Sequence, residues 1–192
     1  GKLILAGEHA VVYGLPAVAL AINRYAEITI QATSVPEILF NCINLANTKE
    51  IISIPKLLSL KHTISAKYRH FVAGRLPVTQ ILRRPIELAQ FAVSTILNLL
   101  DSNNTQGCNI TIQSDIPPNR GMGSSAALIL ALSYALVRHC HLSLAPQEIW
   151  SLAKTIENTQ HGYSSGLDLH VSQQGHCLCL LYTSDAADDT PC

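Results

Sequence analysis

The stretch Asp115–Leu132, DIPPNRGMGSSAALILAL, decides the fold prediction, because two glycines and two serines stand directly before a strongly apolar helical run. A glycine-rich turn that leads into a helix leaves backbone N–H groups unpaired at the positive end of the helix dipole, where an anion binds well. Gly121 and Gly123 let the backbone approach an anion closely, and Ser124 and Ser125 add hydroxyl groups. The turn is therefore a candidate phosphate site, although a plain serine cap or an ordinary loop would use the same residue types.

The same turn also matches Gly-x-Gly-x-x-Ala, the pattern of dinucleotide-binding turns. In that fold a strand runs straight into the first glycine, whereas DIPPNR intervenes here. The acidic residue expected about 20 positions later should end a second strand, but the nearest one, Glu148, lies in a predicted helix. The Walker sequence GxxxxGK[ST] does not occur in the chain. These differences favour a nucleotide site of another kind.

Around this turn, strands and helices follow one another without strict βαβ alternation, which predicts an α+β fold. Period-two patterns and short apolar runs predict the strands, and the tight connections between the first three favour antiparallel pairing of neighbours. The segment from Thr33 to about Leu82 has no sustained period and is predicted to be a short helix and strand insertion. We predict strands at 2–6, 16–22, 25–32 and 108–114, and helices from Pro85 to about Leu100, at 126–138 and from Pro146 to Gly162.

Composition and charge exclude several classes of protein. The chain has 192 residues, of which 48% are hydrophobic and 14% charged, which suits one domain or slightly more and is too apolar for disorder. Thirteen basic residues balance thirteen acidic ones, so we expect no broad surface for nucleic acid or an anionic membrane. The longest apolar run, 126–137, is shorter than the roughly 20 residues that span a bilayer. Six cysteines without CxxC spacing, and no signal peptide, favour a cytoplasmic protein; a homodimer is compatible with the sequence.

A second stretch with residues suited to catalysis is GKLILAGEHAVVYGLPA, at 1–17. Lys2 stands at the start of a predicted buried strand, where an ammonium group without a partner is unfavourable. Glu8 and His9 follow the end of that strand, where polar residues of a sheet converge on a ligand. Taken singly, the lysine is also compatible with a solvated position and the histidine with a structural one.

A third stretch, IENTQHGYSSGLDLH at 156–170, carries two carboxylates. Glu157 lies on a predicted helix, and Asp168 follows the adjacent Ser-Ser-Gly loop. Two carboxylates in different environments suit a metal ligand and a proton acceptor, because these roles need different pKa values. Each is also compatible with an ordinary acidic residue on a helix.

Together the three stretches resemble the GHMP kinases. GKLILAGEHAVVYGLPA, IPPNRGMGSSAA and HGYSSGLD are similar, in this order, to the first motif, the second motif and the catalytic-aspartate segment of that family. Gly7-Glu8-His9, followed by Ala-Val-Val and Gly14-x-Pro16-Ala17, has the form of the members that phosphorylate mevalonate. The resemblance covers residue 1 to about 180. It implies the family's N-terminal α+β domain, of the ribosomal protein S5 domain 2 type, without its C-terminal partner domain.

The resemblance implies a role for each matching residue in ATP-dependent transfer of phosphate to a hydroxyl of a small molecule. Lys2 resembles the catalytic lysine, and Asp168 resembles the aspartate that it pairs with, the proposed base. Magnesium would be held by Ser125 and Glu157. The remaining positions are the ATP-phosphate turn, Gly121, Gly123, Ser124 and Ser125, and residues near the acceptor, Glu8, His9 and Ser165.

The sequence also departs from the family's pattern. Tyr163-Ser164 stand where the family often has Asn-Pro, the start of the first motif is clipped, and the third, glycine-rich motif is absent. Residues 181–192, LYTSDAADDTPC, resemble translated adapter sequence, so we predict a domain at 1–180, a non-native tail, and no activity for the chain as given. Two alternatives stay open. One is a related kinase acting on phosphomevalonate, a sugar or homoserine, and the other is a non-catalytic nucleotide-binding module, which a large Lys2–Asp168 distance would favour.

Overall fold

The computed structural model describes residues 1–7, 15–43, 48–100, 106–180 and 190–191. Its mixed order of strands and helices confirms the α+β prediction, and most predicted elements occur within a residue or two of their expected bounds. The strands are β1 Lys2–Ala6, β2 Ala17–Ala21, β3 Ala26–Thr33, β4 Glu37–Ile43, β5 Thr48–Ser53, β6 Gly107–Ser114, β7 Cys177–Leu180 and β8 Thr190–Pro191. The helices are α1 Ile54–Val72, α2 Ile86–Leu97, α3 Ser124–His139, α4 Pro146–His161 and α5 Leu167–Gln174, with a 3₁₀ turn at Val78–Gln80.

The larger sheet has the strand order β3-β6-β4-β5 and carries the main core. β4 runs parallel to β6, and the other two pairs are antiparallel. Ile110 of β6 pairs with Phe40 of β4 and with Ile30 of β3, so apolar residues form a continuous row across the sheet. Along β3, exposed residues such as Glu27 alternate with partly buried ones, so one face of this strand is solvated.

Helix α2 is buried on all sides. All of Ile86–Leu97 is inaccessible or nearly so, whereas a surface helix buries only one face. α2 contacts α1, α3 and α4, and this environment explains the burial. The polar groups on α2 find partners, because the Gln90 amide donates to Glu50 at 3.0 Å and the Thr95 hydroxyl donates to the Phe91 carbonyl at 2.8 Å.

The smaller sheet has the order β1-β2-β7-β8, and α5 packs against it. Ala19, Val171 and Leu178 form its small buried cluster. The predicted antiparallel pairing of the second and third strands is wrong, because β2 and β3 belong to different sheets. β3 pairs with β6 along all eight of its residues, from Ala26–Ser114 to Thr33–Gly107, and no alignment with the shorter β2 could satisfy as much of its backbone.

The insertion between β3 and α2 is more regular than predicted. It contains the antiparallel pair β4–β5 and a 19-residue helix, α1. Only Ile54, Leu57 and Ile64 of α1 are buried, so its apolar period is weak in the sequence. Packing against α2 and α4 stabilises this helix, and a single-sequence pattern does not reveal that packing.

Two further predictions concern membranes and the chain end. Within the described ranges, no helix combines the length and the apolar character that crossing a bilayer requires. The predicted non-native tail lies outside the described residues except for Thr190–Pro191, which pairs with β7.

Candidate active site

Four segments of the chain come together through backbone and side-chain contacts. They are the start of β1, the turn before α3, the last turns of α4 and the first turn of α5. The Lys2 N–H donates a hydrogen bond to the Met122 carbonyl at 2.9 Å, which ties β1 to the turn. Gly162 directly follows α4, and Gly166, with φ 82°, directly precedes α5, so a short loop joins the two helices.

Lys2 and Asp168 form an ion pair at this junction. The Lys2 Nζ lies 2.9 Å from the Asp168 Oδ1, although the two residues come from opposite ends of the chain. The Lys2 side chain is 6% exposed and the Asp168 side chain 29% exposed, so the lysine is enclosed while the carboxylate can still be reached. Asp168 stands in the first turn of α5, where the helix dipole favours a negative charge.

Gly123 allows the turn to lie directly against Lys2. Its φ is 67°, and a Cβ placed on it would lie 2.8 Å from the Lys2 Cγ. α3 begins at the next residue, and no side chain caps its first turn. The plain serine cap, one of the two ordinary interpretations of this sequence, is therefore absent. The first N–H groups of α3 remain available to an anion.

Ser125 and His161 connect α3 with the end of α4. The Ser125 Oγ lies 3.2 Å from the His161 Nε2. Burial lowers the pKa of His161, and Lys2 lowers it further, while the Asp168 charge acts in the opposite direction. The lowered pKa favours a neutral imidazole near pH 7.

Glu157 is a buried carboxyl group on α4. It is 2% exposed, and burial raises its pKa to about 7. Nearby Asp168 raises the pKa further, whereas a hydrogen bond from the Ser164 hydroxyl and the charge of Lys2 lower it. Among the described residues, no lysine or arginine forms an ion pair with Glu157.

The raised pKa makes the stability of the protein depend on pH. Between pH 4.5 and 7 the folded state retains a proton that the unfolded state has lost, so the free energy of unfolding decreases as pH rises through this window. Across this window the free energy of unfolding should fall by about 3 kcal/mol, because each unit of pKa shift corresponds to about 1.4 kcal/mol. Glu157→Gln should remove this decrease, because glutamine stays neutral. Urea unfolding at pH 5 and pH 8, with a chelator present, measures it.

The control is Glu27→Gln, the same acid-to-amide change on the exposed face of β3. This variant should keep the wild-type pH dependence. The prediction fails if Glu157→Gln and wild type lose equal stability between the two pH values.

The loop between α4 and α5 is held by side chains from distant parts of the chain. The Tyr68 hydroxyl of α1 donates to the Gly162 carbonyl at 3.0 Å, and the Phe71 ring packs against Gly162. At the other end of the loop, the Trp150 ring packs against Gly166. The position of the loop, and with it the start of α5, therefore depends on α1 as well as on α4.

The structure brings together several of the predicted site residues. Lys2 contacts Asp168 and lies against Gly123, and Glu157 is near enough for the charges of Lys2 and Asp168 to shift its pKa. Ser125 contacts His161 of α4. Ser165 is exposed, and its Oγ accepts a hydrogen bond from the Leu167 N–H at 3.2 Å, so it also shapes the start of α5. The remaining turn residues, Gly121 and Ser124, lie directly before and at the start of α3, and Glu8 and His9 lie outside the described residues.

Sequence reasoning assigned no role to His161 or Ser164. His161 could have been found from its spacing, because Glu157 and His161 are four residues apart and therefore share a face of α4. The signal for Ser164 was its departure from the family's usual proline. Neither signal identifies the contact partner, which depends on how the helices pack.

Comparison with known proteins assigns the domain. Residues 88–175 match the model of the GHMP kinases N terminal domain. The chain is 33% identical to the mevalonate kinase of Pyrococcus horikoshii over 177 residues, which are 92% of this chain and 48% of that protein. The chain thus spans about half the length of the curated relatives it matches.

Solved structures show the same fold. The mevalonate kinase of Methanococcus jannaschii superposes with a TM-score of 0.73 at 26% identity, covering 94% of this chain and 51% of that one. The galactokinase of Lactococcus lactis, solved with galactose, superposes with a TM-score of 0.70 at 16% identity, covering 100% and 45%. From the family match, the relatives and the shared fold, we conclude that this chain contains the N-terminal domain of the GHMP kinases.

Proposed function

We propose that this protein transfers phosphate from ATP to the hydroxyl of mevalonate, giving phosphomevalonate. The observation that carries the proposal is the Lys2–Asp168 ion pair beside the uncapped start of α3. A non-catalytic nucleotide-binding module would not require contact between Lys2 and Asp168, so this ion pair counts against that alternative. Mevalonate is proposed as the acceptor because the relatives are named mevalonate kinases.

Asp168 is suited to act as the base. Its partly exposed carboxylate would take the proton of the acceptor hydroxyl as the hydroxyl oxygen bonds to the γ-phosphorus of ATP. The bond from that phosphorus to the β–γ bridging oxygen breaks, and ADP leaves. Lys2 would hold the Asp168 carboxylate in place, because its enclosed ammonium group lies 2.9 Å from the Asp168 Oδ1.

The start of α3 is suited to hold the phosphates of ATP. Its first backbone N–H groups are free of side-chain caps, and the helix dipole points its positive end toward the turn. Such donors stabilise the negative charge that spreads over the phosphoryl oxygens during transfer. Gly121, Gly123 and Ser124 would let the phosphates approach this backbone closely.

Ser125 and Glu157 fit a magnesium ion. Magnesium prefers oxygen ligands and usually takes only one or two carboxylates, with phosphate and water oxygens filling the other positions. Glu157 is a buried carboxyl group that forms no ion pair within the described part of the chain, and the Ser125 hydroxyl would supply a second oxygen. Among the described residues there is no group of three His, Cys, Asp or Glu side chains that could hold a metal ion. A bound magnesium ion would neutralise charge on the phosphates.

The charges near the site favour an acceptor without a phosphate group of its own. A buried phosphate needs cations, and Lys2 is already paired with Asp168. The Lys154 ammonium lies over the Trp150 ring, 5.0 Å from its centroid, and Arg120 lies in the turn that would hold ATP. The lowered pKa of His161 favours its neutral form. These features support a hydroxy acid such as mevalonate over phosphomevalonate.

A comparison of acceptors tests the proposal. The chain would be joined to the second half of the Pyrococcus horikoshii relative, and kcat/KM would be measured for mevalonate, phosphomevalonate, galactose and homoserine. We expect mevalonate to be preferred by at least about tenfold, which corresponds to about 1.4 kcal/mol, the net contribution of one hydrogen bond. A preference for any other acceptor would reject mevalonate but keep the kinase assignment. No turnover of any acceptor, with nucleotide still bound, would return support to the non-catalytic module.

A further inference from the structure

We propose that the Ser164 hydroxyl is a positioning group that orients the Glu157 carboxylate and links it to the loop that carries Asp168. The inference rests on the proposed role of Glu157 as a metal ligand. It gives a function to a residue at which the chain departs from the family's usual sequence.

Ser164 makes three hydrogen bonds within the site. Its hydroxyl donates a hydrogen bond to the Glu157 carboxylate, and the same oxygen accepts a bond from the Gly166 N–H at 3.0 Å. Its own N–H donates to the Asn158 Oδ1 at 2.8 Å. The residue is thereby anchored to two consecutive side chains of α4 and to the backbone of the residue directly before α5.

A serine hydroxyl is suited to this double contact. It carries one donor hydrogen and two acceptor lone pairs, so it can donate to a carboxylate and accept from an amide at the same time. Alanine could make neither side-chain bond. Proline, which the family often carries here, also lacks the N–H that bonds to Asn158. Serine at this position therefore allows a direct hydrogen bond to Glu157 that proline could not make.

The hydrogen bonds of Ser164 couple the position of the Glu157 carboxylate to that of Asp168. Glu157 is buried, so few other donors can fix the orientation of its carboxylate. Gly166 precedes α5, and Asp168 stands two residues further on in the first turn of that helix. By bonding to both Glu157 and Gly166, the Ser164 hydroxyl sets the position of the carboxylate relative to the start of α5. Groups that orient a metal ligand commonly change metal affinity by about 10- to 100-fold when they are removed.

The test compares Ser164→Ala with Ser164→Thr, which keeps a hydroxyl. Ser151→Ala is the matched control, because Ser151 is an exposed serine of α4 whose hydroxyl donates to the Gln147 carbonyl. Two properties are measured. The affinity for Mn²⁺, in the presence of a non-hydrolysable ATP analogue, is followed by electron paramagnetic resonance. Hydrogen exchange of the Gly166 amide is followed in the metal-free protein.

We expect Ser164→Ala to weaken Mn²⁺ binding by about tenfold and to speed Gly166 exchange by a similar factor. Ser164→Thr should restore both, and Ser151→Ala should change neither. Unchanged Mn²⁺ affinity in Ser164→Ala, with faster Gly166 exchange, would overturn the inference and leave only a loop contact.

A failure of the proposed function would give a different result from a failure of the Ser164 inference alone. If wild type binds no Mn²⁺ with the nucleotide analogue, the metal role of Glu157 is wrong, and the inference falls with it. If Ser164→Ala does not fold, Ser164→Cys replaces it, since a thiol has a similar size but is a weak donor. Mn²⁺ affinity equal to wild type in that variant would overturn the inference as well.

Discussion

Asp168→Asn is expected to lower turnover by on the order of 10²- to 10⁴-fold, the effect of losing a positioned base, while nucleotide affinity stays nearly unchanged. Asparagine has the shape of aspartate but cannot take the proton of the acceptor hydroxyl. Asp168 contacts Lys2 rather than the N–H groups at the start of α3, so the phosphate site should be preserved. Steady-state rates of the chain completed with the second half of a relative, and calorimetric titration with an ATP analogue, measure the two effects.

The substitution also leaves the Lys2 ammonium buried without its carboxylate. Breaking a fully buried pair destabilises a protein by about 3 to 5 kcal/mol, and the partial exposure of Asp168 should make the loss smaller here. Urea unfolding therefore accompanies the kinetics, so that a loss of folded protein is not mistaken for a loss of catalysis. Glu27→Gln is the control for the acid-to-amide change. Reduced nucleotide affinity with unchanged turnover would assign Asp168 to binding instead.

Gly123→Ala is expected to have the second-largest effect, a decrease in turnover of about 10²-fold, which is typical when a catalytic group is displaced by about 1 Å. The added Cβ would lie 2.8 Å from the Lys2 Cγ, so the lysine or the turn must shift. Lys2 is enclosed and paired with Asp168, so its side chain has little room to move away. The ion pair should therefore be lengthened.

Part of the effect of this substitution comes from backbone strain alone. Gly123 has a φ of 67°, and an alanine there costs about 1 kcal/mol because of the left-handed conformation. Gly74→Ala isolates that contribution, since Gly74 has a φ of 69° and nothing lies within 4 Å of its added Cβ. Urea unfolding should show a larger loss for Gly123→Ala than for Gly74→Ala. Equal losses and normal turnover would show that Lys2 accommodates the methyl group.

The sequence predicted the local elements of the fold well where the pattern had a local cause. Pro146 and Gly162 bracket α4 because the first lacks an N–H and the second lacks a Cβ, and both effects act within one turn of a helix. The alternation in β3 likewise follows from one strand having one buried face. The prediction of β2–β3 pairing failed because strand partners are chosen by total backbone and apolar pairing, and β6, which satisfies all of β3, lies far along the chain.

By itself the sequence determined the chemical types at the site and their order along the chain: a lysine at the start of a strand, a glycine-serine turn before a helix, a glutamate on a helix and an aspartate after a loop. The tertiary structure decided which of them meet. The Lys2–Asp168 contact, the burial of Glu157 and its bond to Ser164, and the support of the loop by Tyr68 all join segments through packing. Distances and dielectric surroundings between such segments are set only when the core closes, so no pattern within one segment contains them.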